Sequence, residues 1–140
     1  MLTLTPYLIV DDGNAAIAFY EQALGAKCPF RMPGEDGKRL INARIEIGPV
    51  AFMLMDDFPE HVHPHDARTA APKRAGGASA TFHLHCDTSA EVDERVARAV
   101  KAGGKITQEP TTMFWGDYYG SIVDPFGHIW SFGATPGKAA

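Results

Sequence analysis

The order of periodic segments constrains this chain more than any single residue, because one succession of a strand, a helix and three strands occurs twice. In the first half, LTLTPYLIV (2–10) is a strand-like run of β-branched and aromatic residues. NAAIAFYEQAL (14–24) then sets Ala16, Ile17, Tyr20, Ala23 and Leu24 on one helical stripe. Asp11 or Asp12 is placed to cap its start and Gly25 to end it. Three strand candidates follow, AKCPFRM (26–32), RLINARIEI (39–47) and VAFMLMD (50–56), with the tight IGPV turn suggesting a hairpin between the last two.

Residues 57–77, DFPEHVHPHDARTAAPKRAGG, break the pattern with proline, glycine and polar residues and read as an excursion loop. The order then restarts with the strand SATFHLHCD (79–87). Thr88-Ser89-Ala90-Glu91 offers a capping box for a helix whose stripe is Val92, Val96, Ala99 and Val100 and which Gly103-Gly104 ends. KITQEPTTM (105–113), DYYGSIVD (117–124) and HIWSFG (128–133) complete the second unit. The boundaries are therefore a first βαβββ module over 1–56, a linker over 57–77 and a second module over 78–140, within one structural domain.

A helix covers one side of such a sheet, and the other side must also be covered. Pairing two units predicts an α+β fold in which the modules form a curved, partly closed mixed sheet, helices outside and a concave trough inside. The alternation in SATFHLHCD fits: Phe82, Leu84 and Cys86 share the helix-facing side, while Thr81, His83 and His85 line the trough. Between the last two strands, DPFG is a turn in which the aspartate can hydrogen-bond its own backbone.

Bulk properties narrow the function. A hydrophobic fraction of 45% with 21% charged residues is globular. A formal charge of −4 with scattered basic residues gives no footprint for nucleic acid. No apolar run is long enough to span a membrane, so no membrane partner and a soluble, cytoplasmic chain are expected. Cys28 and Cys86 make neither a disulfide framework nor a CxxC motif and read as free thiols. Neither a GxSxG elbow nor a phosphate-binding glycine loop occurs, which argues against a serine nucleophile and a nucleotide cofactor.

TPYLIVDDGNAAIAFYEQALGA near the start and FWGDYYGSIVDPFGHIWSF near the end, with the doubled order between them, resemble the vicinal oxygen chelate superfamily, the glyoxalase, bleomycin-resistance and dioxygenase group, and within it the PhnB-like proteins. Metal-dependent members carry ligands on the first and last strands of each unit. Carried over position by position, the resemblance puts these at Thr5, Met53, Thr81 and Ser131. Hydroxyls and a thioether are poor substitutes for imidazole and carboxylate at a divalent cation, so no metal and no other cofactor is expected there. His61, His63 and His65 lie on a proline-containing loop that does not fix their geometry.

The remaining inward set is a candidate small-molecule pocket: Tyr7, Met53, Met55, His83, His85, Tyr119 and Ser131, with Phe114 and Trp115 at its mouth. Aromatic rings offer stacking and methionines adapt to irregular shapes. The favoured expectation is a metal-free protein binding a flat organic molecule. The alternatives are a metal-dependent lyase, thiol transferase or dioxygenase with relocated ligands, and a metal-free enzyme using His83 or His85 as general base. The resemblance also implies a homodimer, since relatives close their troughs by pairing modules within or between chains.

Overall fold

The computed structural model describes residues 1–137 apart from Val62 and Ala67, and only the backbone of Asp66; the last three residues of the predicted second module lie outside the described residues. The first module comprises β1 (Tyr7–Val10), α1 (Gly13–Leu24), β2 (Lys27–Pro33), β3 (Leu40–Ile47) and β4 (Val50–Asp56). The second comprises β5 (Thr81–His85), α3 (Ser89–Ala102), β6 (Lys105–Thr112), β7 (Tyr118–Val123) and β8 (Ile129–Ala134). Each forms a four-stranded mixed sheet, in the orders β1-β4-β3-β2 and β5-β8-β7-β6. The parallel pairs are β1 with β4 and β5 with β8. The architecture is α+β as the doubled pattern predicts, and the two sheets do not close into a barrel.

Local chemistry sets the helix ends. Asp12, extended at φ −155°, accepts a 3.0 Å hydrogen bond from the Ala15 amide and is the cap of α1. Gly25 takes the left-handed conformation, φ 67°, and its amide returns to the Tyr20 carbonyl. At α3 the Thr88 hydroxyl accepts from the Glu91 amide at 3.1 Å, while the Glu91 carboxylate pairs with Arg95 one turn on.

Two segments differ from the sequence reading. β1 begins at Tyr7, not at residue 2. Pro6 has no amide to donate and extends the ladder only through its carbonyl, which accepts from the Met53 amide at 2.8 Å, and Leu2 and Leu4 before it are exposed. The loop over 57–77 contains a 3-10 turn (Pro64–Asp66) and a one-turn helix, α2 (Pro72–Ala75), too short to register as periodicity. Arg74 of α2 grips the Asp57 carboxylate through two 2.7 Å hydrogen bonds, and the Ala71 amide donates a third at 2.8 Å.

The modules share one core. α1 packs on α3, and the apolar residues under both helices form a single cluster running from Leu8, Val10 and Leu54 to Ile122, Trp130 and Phe132. Its centre is aromatic: Tyr20 lies 5.3 Å from Phe52 and 5.5 Å from Trp130, ring centre to ring centre, and Phe52 lies 5.3 Å from Trp130. The polar residue beside it is Asp124, 4% exposed, at the DPFG turn. One carboxylate oxygen accepts from the Phe126 and His128 amides at 2.9 and 3.0 Å, the self-bonded turn expected of this aspartate. The other accepts from the Tyr20 hydroxyl at 2.6 Å and the Trp130 indole at 3.0 Å. Burial first, then the Asp124 carboxylate, push the Tyr20 phenol well above its ordinary range, so it remains a donor at neutral pH.

Candidate functional site

Because α1 and α3 cover one face of each sheet, the side chains of opposite parity define the open faces. On the second sheet the parity is unambiguous. Phe82 and Leu84 pack against the shared core, with the Phe82 ring 5.2 Å from Trp130, whereas Thr81, His83 and His85 point the other way and are exposed. The ladders set His83 beside Ser131 and Ser131 beside Ser121, and put Gly133 between His85 and Tyr119.

Four polar side chains on this face form a line. Ser131 Oγ lies 2.7 Å from His83 Nδ1, His83 Nε2 lies 3.3 Å from His85 Nδ1, and His85 Nε2 lies 3.1 Å from Thr135 Oγ1. Burial, with a smaller contribution from the neighbouring His85 imidazole, holds the His83 pKa below the usual histidine value, while Asp117 pulls weakly the other way. Ser131 is 2% exposed, so the Ser131–His83 pair is not an accessible nucleophile and its base.

An aromatic run adjoins the line. The His83 and Tyr119 rings are nearly parallel, at 10° and 5.9 Å; Tyr119 meets Trp115 edge to face at 5.7 Å; Trp115 meets Phe114 likewise at 4.9 Å. The turn joining β6 to β7 is the reason these rings stand clear. It closes through Gly116–Met113 and Met113–Asp117 backbone hydrogen bonds, Gly116 supplies φ 99°, and Phe114 and Trp115 occupy the intervening positions. Phe114 is 97% exposed and Trp115 48%.

The structure thus brings His83, His85, Phe114, Trp115, Tyr119 and Ser131 together. Tyr7, Met53 and Met55 lie on the open face of the first sheet, where Tyr7 pairs with Met53 and Ile9 with Met55 across the parallel ladder. There the Tyr7 hydroxyl donates to the Ile41 carbonyl at 2.7 Å. Thr5 precedes β1, and Thr81 stands exposed beside Ile129. His61 stacks on Phe58 at 5.4 Å, with His63 and His65 exposed nearby. Among the described residues, no group of three or more histidine, cysteine, aspartate or glutamate side chains is arranged to hold a metal ion. Cys28 and Cys86 are free thiols.

Sequence reasoning missed Thr135 and Gly133. Both share the parity of Ser131 and so could have been placed on this face by counting in twos past the end of HIWSF.

Comparison with known proteins follows the same outline. Residues 3–132 match the sequence profile of the Glyoxalase/Bleomycin resistance protein/Dioxygenase superfamily. The uncharacterized protein Mb0911c of Mycobacterium bovis is 41% identical over 130 residues, covering 93% of this chain and 81% of its own. Among solved structures, a glyoxalase-related enzyme from Fulvimarina pelagi superposes with a TM-score of 0.75 at 21% identity, over 97% of this chain and 90% of its own. A PhnB protein from Bacillus cereus does so with a TM-score of 0.70 at 16% identity, over 95% and 99%. At these identities the two structures establish the fold alone. No helix of the described residues is long and apolar enough to cross a membrane.

Proposed function

The chain belongs to the glyoxalase/bleomycin resistance protein/dioxygenase superfamily, and from that premise we propose that it binds a flat organic molecule, without a metal at Thr5, Met53, Thr81 or Ser131. The observation that carries this reading is the run of rings from His83 through Tyr119 and Trp115 to Phe114, which the chain leaves exposed at its outer end. A planar ligand lying on Tyr119 and Trp115 gains stacking contacts, and the His83–Ser131 side of the face supplies polar character. The four positions to which the family resemblance assigns metal ligands hold hydroxyl or thioether groups here, which favours binding over Lewis-acid catalysis at those positions.

The working form in this proposal is a homodimer in which a second copy covers the open faces. Support comes from the apolar side chains on the first module, where Tyr7, Phe30, Met32 and Ile41 are each at least 40% exposed. The second copy would complete the pocket by placing the Tyr7, Met53 and Met55 face opposite the aromatic run. A thermal-shift screen of planar aromatic compounds tests the ligand reading, since a molecule bound only to the native state raises its melting temperature. Compounds that stabilise the wild type and not a Trp115→Ala variant support it, and equal shifts for both overturn it. Sedimentation at micromolar concentration giving a clean monomer removes the dimer.

A further inference from the structure

The weakest link in the polar line is the contact between the two imidazoles. His83 Nε2 and His85 Nδ1 face each other at 3.3 Å, beyond the usual range for an N–H donor. The separation matches a different bond. Zinc–nitrogen distances of about 2.0–2.1 Å in tetrahedral geometry hold two ligand nitrogens about 3.3–3.4 Å apart.

The surroundings of the pair favour the second use. Each ring has its outer nitrogen in contact with a hydroxyl, Ser131 for His83 and Thr135 for His85, and such anchoring fixes the orientation of histidine ligands. A hydroxyl can donate or accept, so both anchors survive a change of tautomer. With N–H donated to Ser131 by His83 and to Thr135 by His85, the two facing nitrogens both present lone pairs. An ion then replaces one poor hydrogen bond and releases no proton. Gly133 supplies an independent sign. A Cβ there would stand 2.8 Å from His83 Cε1, 3.1 Å from His83 Nε2 and 3.7 Å from His85 Nδ1. Gly133 is not among the glycines with positive φ, and glycine weakens a strand, so the space under the rings accounts for it better than the backbone does.

We infer that His83 and His85 form a two-imidazole chelate for a divalent transition-metal ion of the zinc class, its remaining positions taken by water or by an oxygen of a bound molecule. The site uses none of the four positions to which the family resemblance points, and it stands whether or not the aromatic run holds an organic ligand.

Calorimetric titration of chelator-stripped full-length protein with zinc chloride tests it. The expected result is one saturable zinc per chain, lost in His83→Gln and in His85→Gln, and weakened about 10-fold or more in Ser131→Ala, Thr135→Ala and Gly133→Ala. A His61→Gln, His63→Gln, His65→Gln triple variant separates this site from the histidine-rich loop and keeps full binding. Nitrogen-15 spectra of the imidazoles in the wild type, which need no variant to fold, should show zinc on Nε2 of His83 and Nδ1 of His85. No saturable binding, binding lost in the triple variant but kept in His83→Gln, or unmoved His83 and His85 nitrogen signals would each overturn the inference.

Discussion

Asp124→Ala is expected to be among the most destabilising single substitutions in the chain, although it removes only one small side chain. The carboxylate is 4% exposed and accepts from four donors: the Phe126 and His128 amides, the Tyr20 hydroxyl and the Trp130 indole. Hydrogen bonds to a charged group contribute about 1.5–3 kcal/mol each, so the two side-chain donors alone give about 3–6 kcal/mol. The two turn amides add less, because the space left by the carboxylate admits water to them. A loss of about 4–5 kcal/mol is a large part of the 5–15 kcal/mol typical of a domain. Tyr20→Phe should cost about 1.5–3 kcal/mol, since it deletes one donor and leaves the carboxylate with three. Urea unfolding followed by far-ultraviolet circular dichroism measures both, with the m-value checking that the denatured state is unchanged. A cost below about 1 kcal/mol for Asp124→Ala, or equal costs for the two variants, would refute the claim that this carboxylate organises the joint between the modules.

Three further outcomes are expected. Trp115→Ala should leave the fold intact and weaken binding of any planar ligand about 5-fold, for about 1 kcal/mol of lost stacking, whereas Phe82→Ala should cost about 2–3 kcal/mol of stability because its half-buried ring packs on Trp130; unfolding of the Trp115 variant would make that residue core. Burial first, then the Glu91 carboxylate, push the Cys86 thiol up to about 11, so at pH 8 it carries about 100-fold less thiolate than an ordinary cysteine, and iodoacetamide followed by mass spectrometry should label it correspondingly slowly. The Arg74 guanidinium holds the Asp57 carboxyl below its usual range, so its stabilisation is complete above the unfolded carboxylate pKa of about 3.9 and is lost as pH falls through the lower folded value; Asp57→Asn should therefore be less stable than wild type at pH 7, with the gap closing below about pH 4 in acid-unfolding curves.

The fold was legible because burial enforces period. The helical stripe from Ala16 to Leu24 and the alternation of Phe82 and Leu84 with His83 and His85 each place their residues on the sides the structure shows. What escaped was set by contacts between distant residues. Nothing near Tyr20 announces that its hydroxyl meets Asp124, and no local rule says that Arg74 will find Asp57 and order a one-turn helix. The candidate site was half legible for the same reason. Parity put these side chains on open faces, but which face meets which is a matter of how whole modules pack, and the shared core under α1 and α3 turns the helix-covered sides of the two sheets toward each other.

That joint also sets a timetable for synthesis. Tyr20 and Asp124 lie 104 positions apart, and at about 5–20 residues per second a ribosome takes roughly 5–20 s to travel from one to the other. Once Phe52 has been made, the nascent first module holds Phe19, Tyr20 and Phe52 for the rest of that interval without the Phe126 and Trp130 rings that will cover them. The second half of the message is therefore needed to finish the first half of the protein. A chain released early would present an aromatic surface to chaperones or to other unfinished copies, and pausing between the two modules would lengthen its exposure.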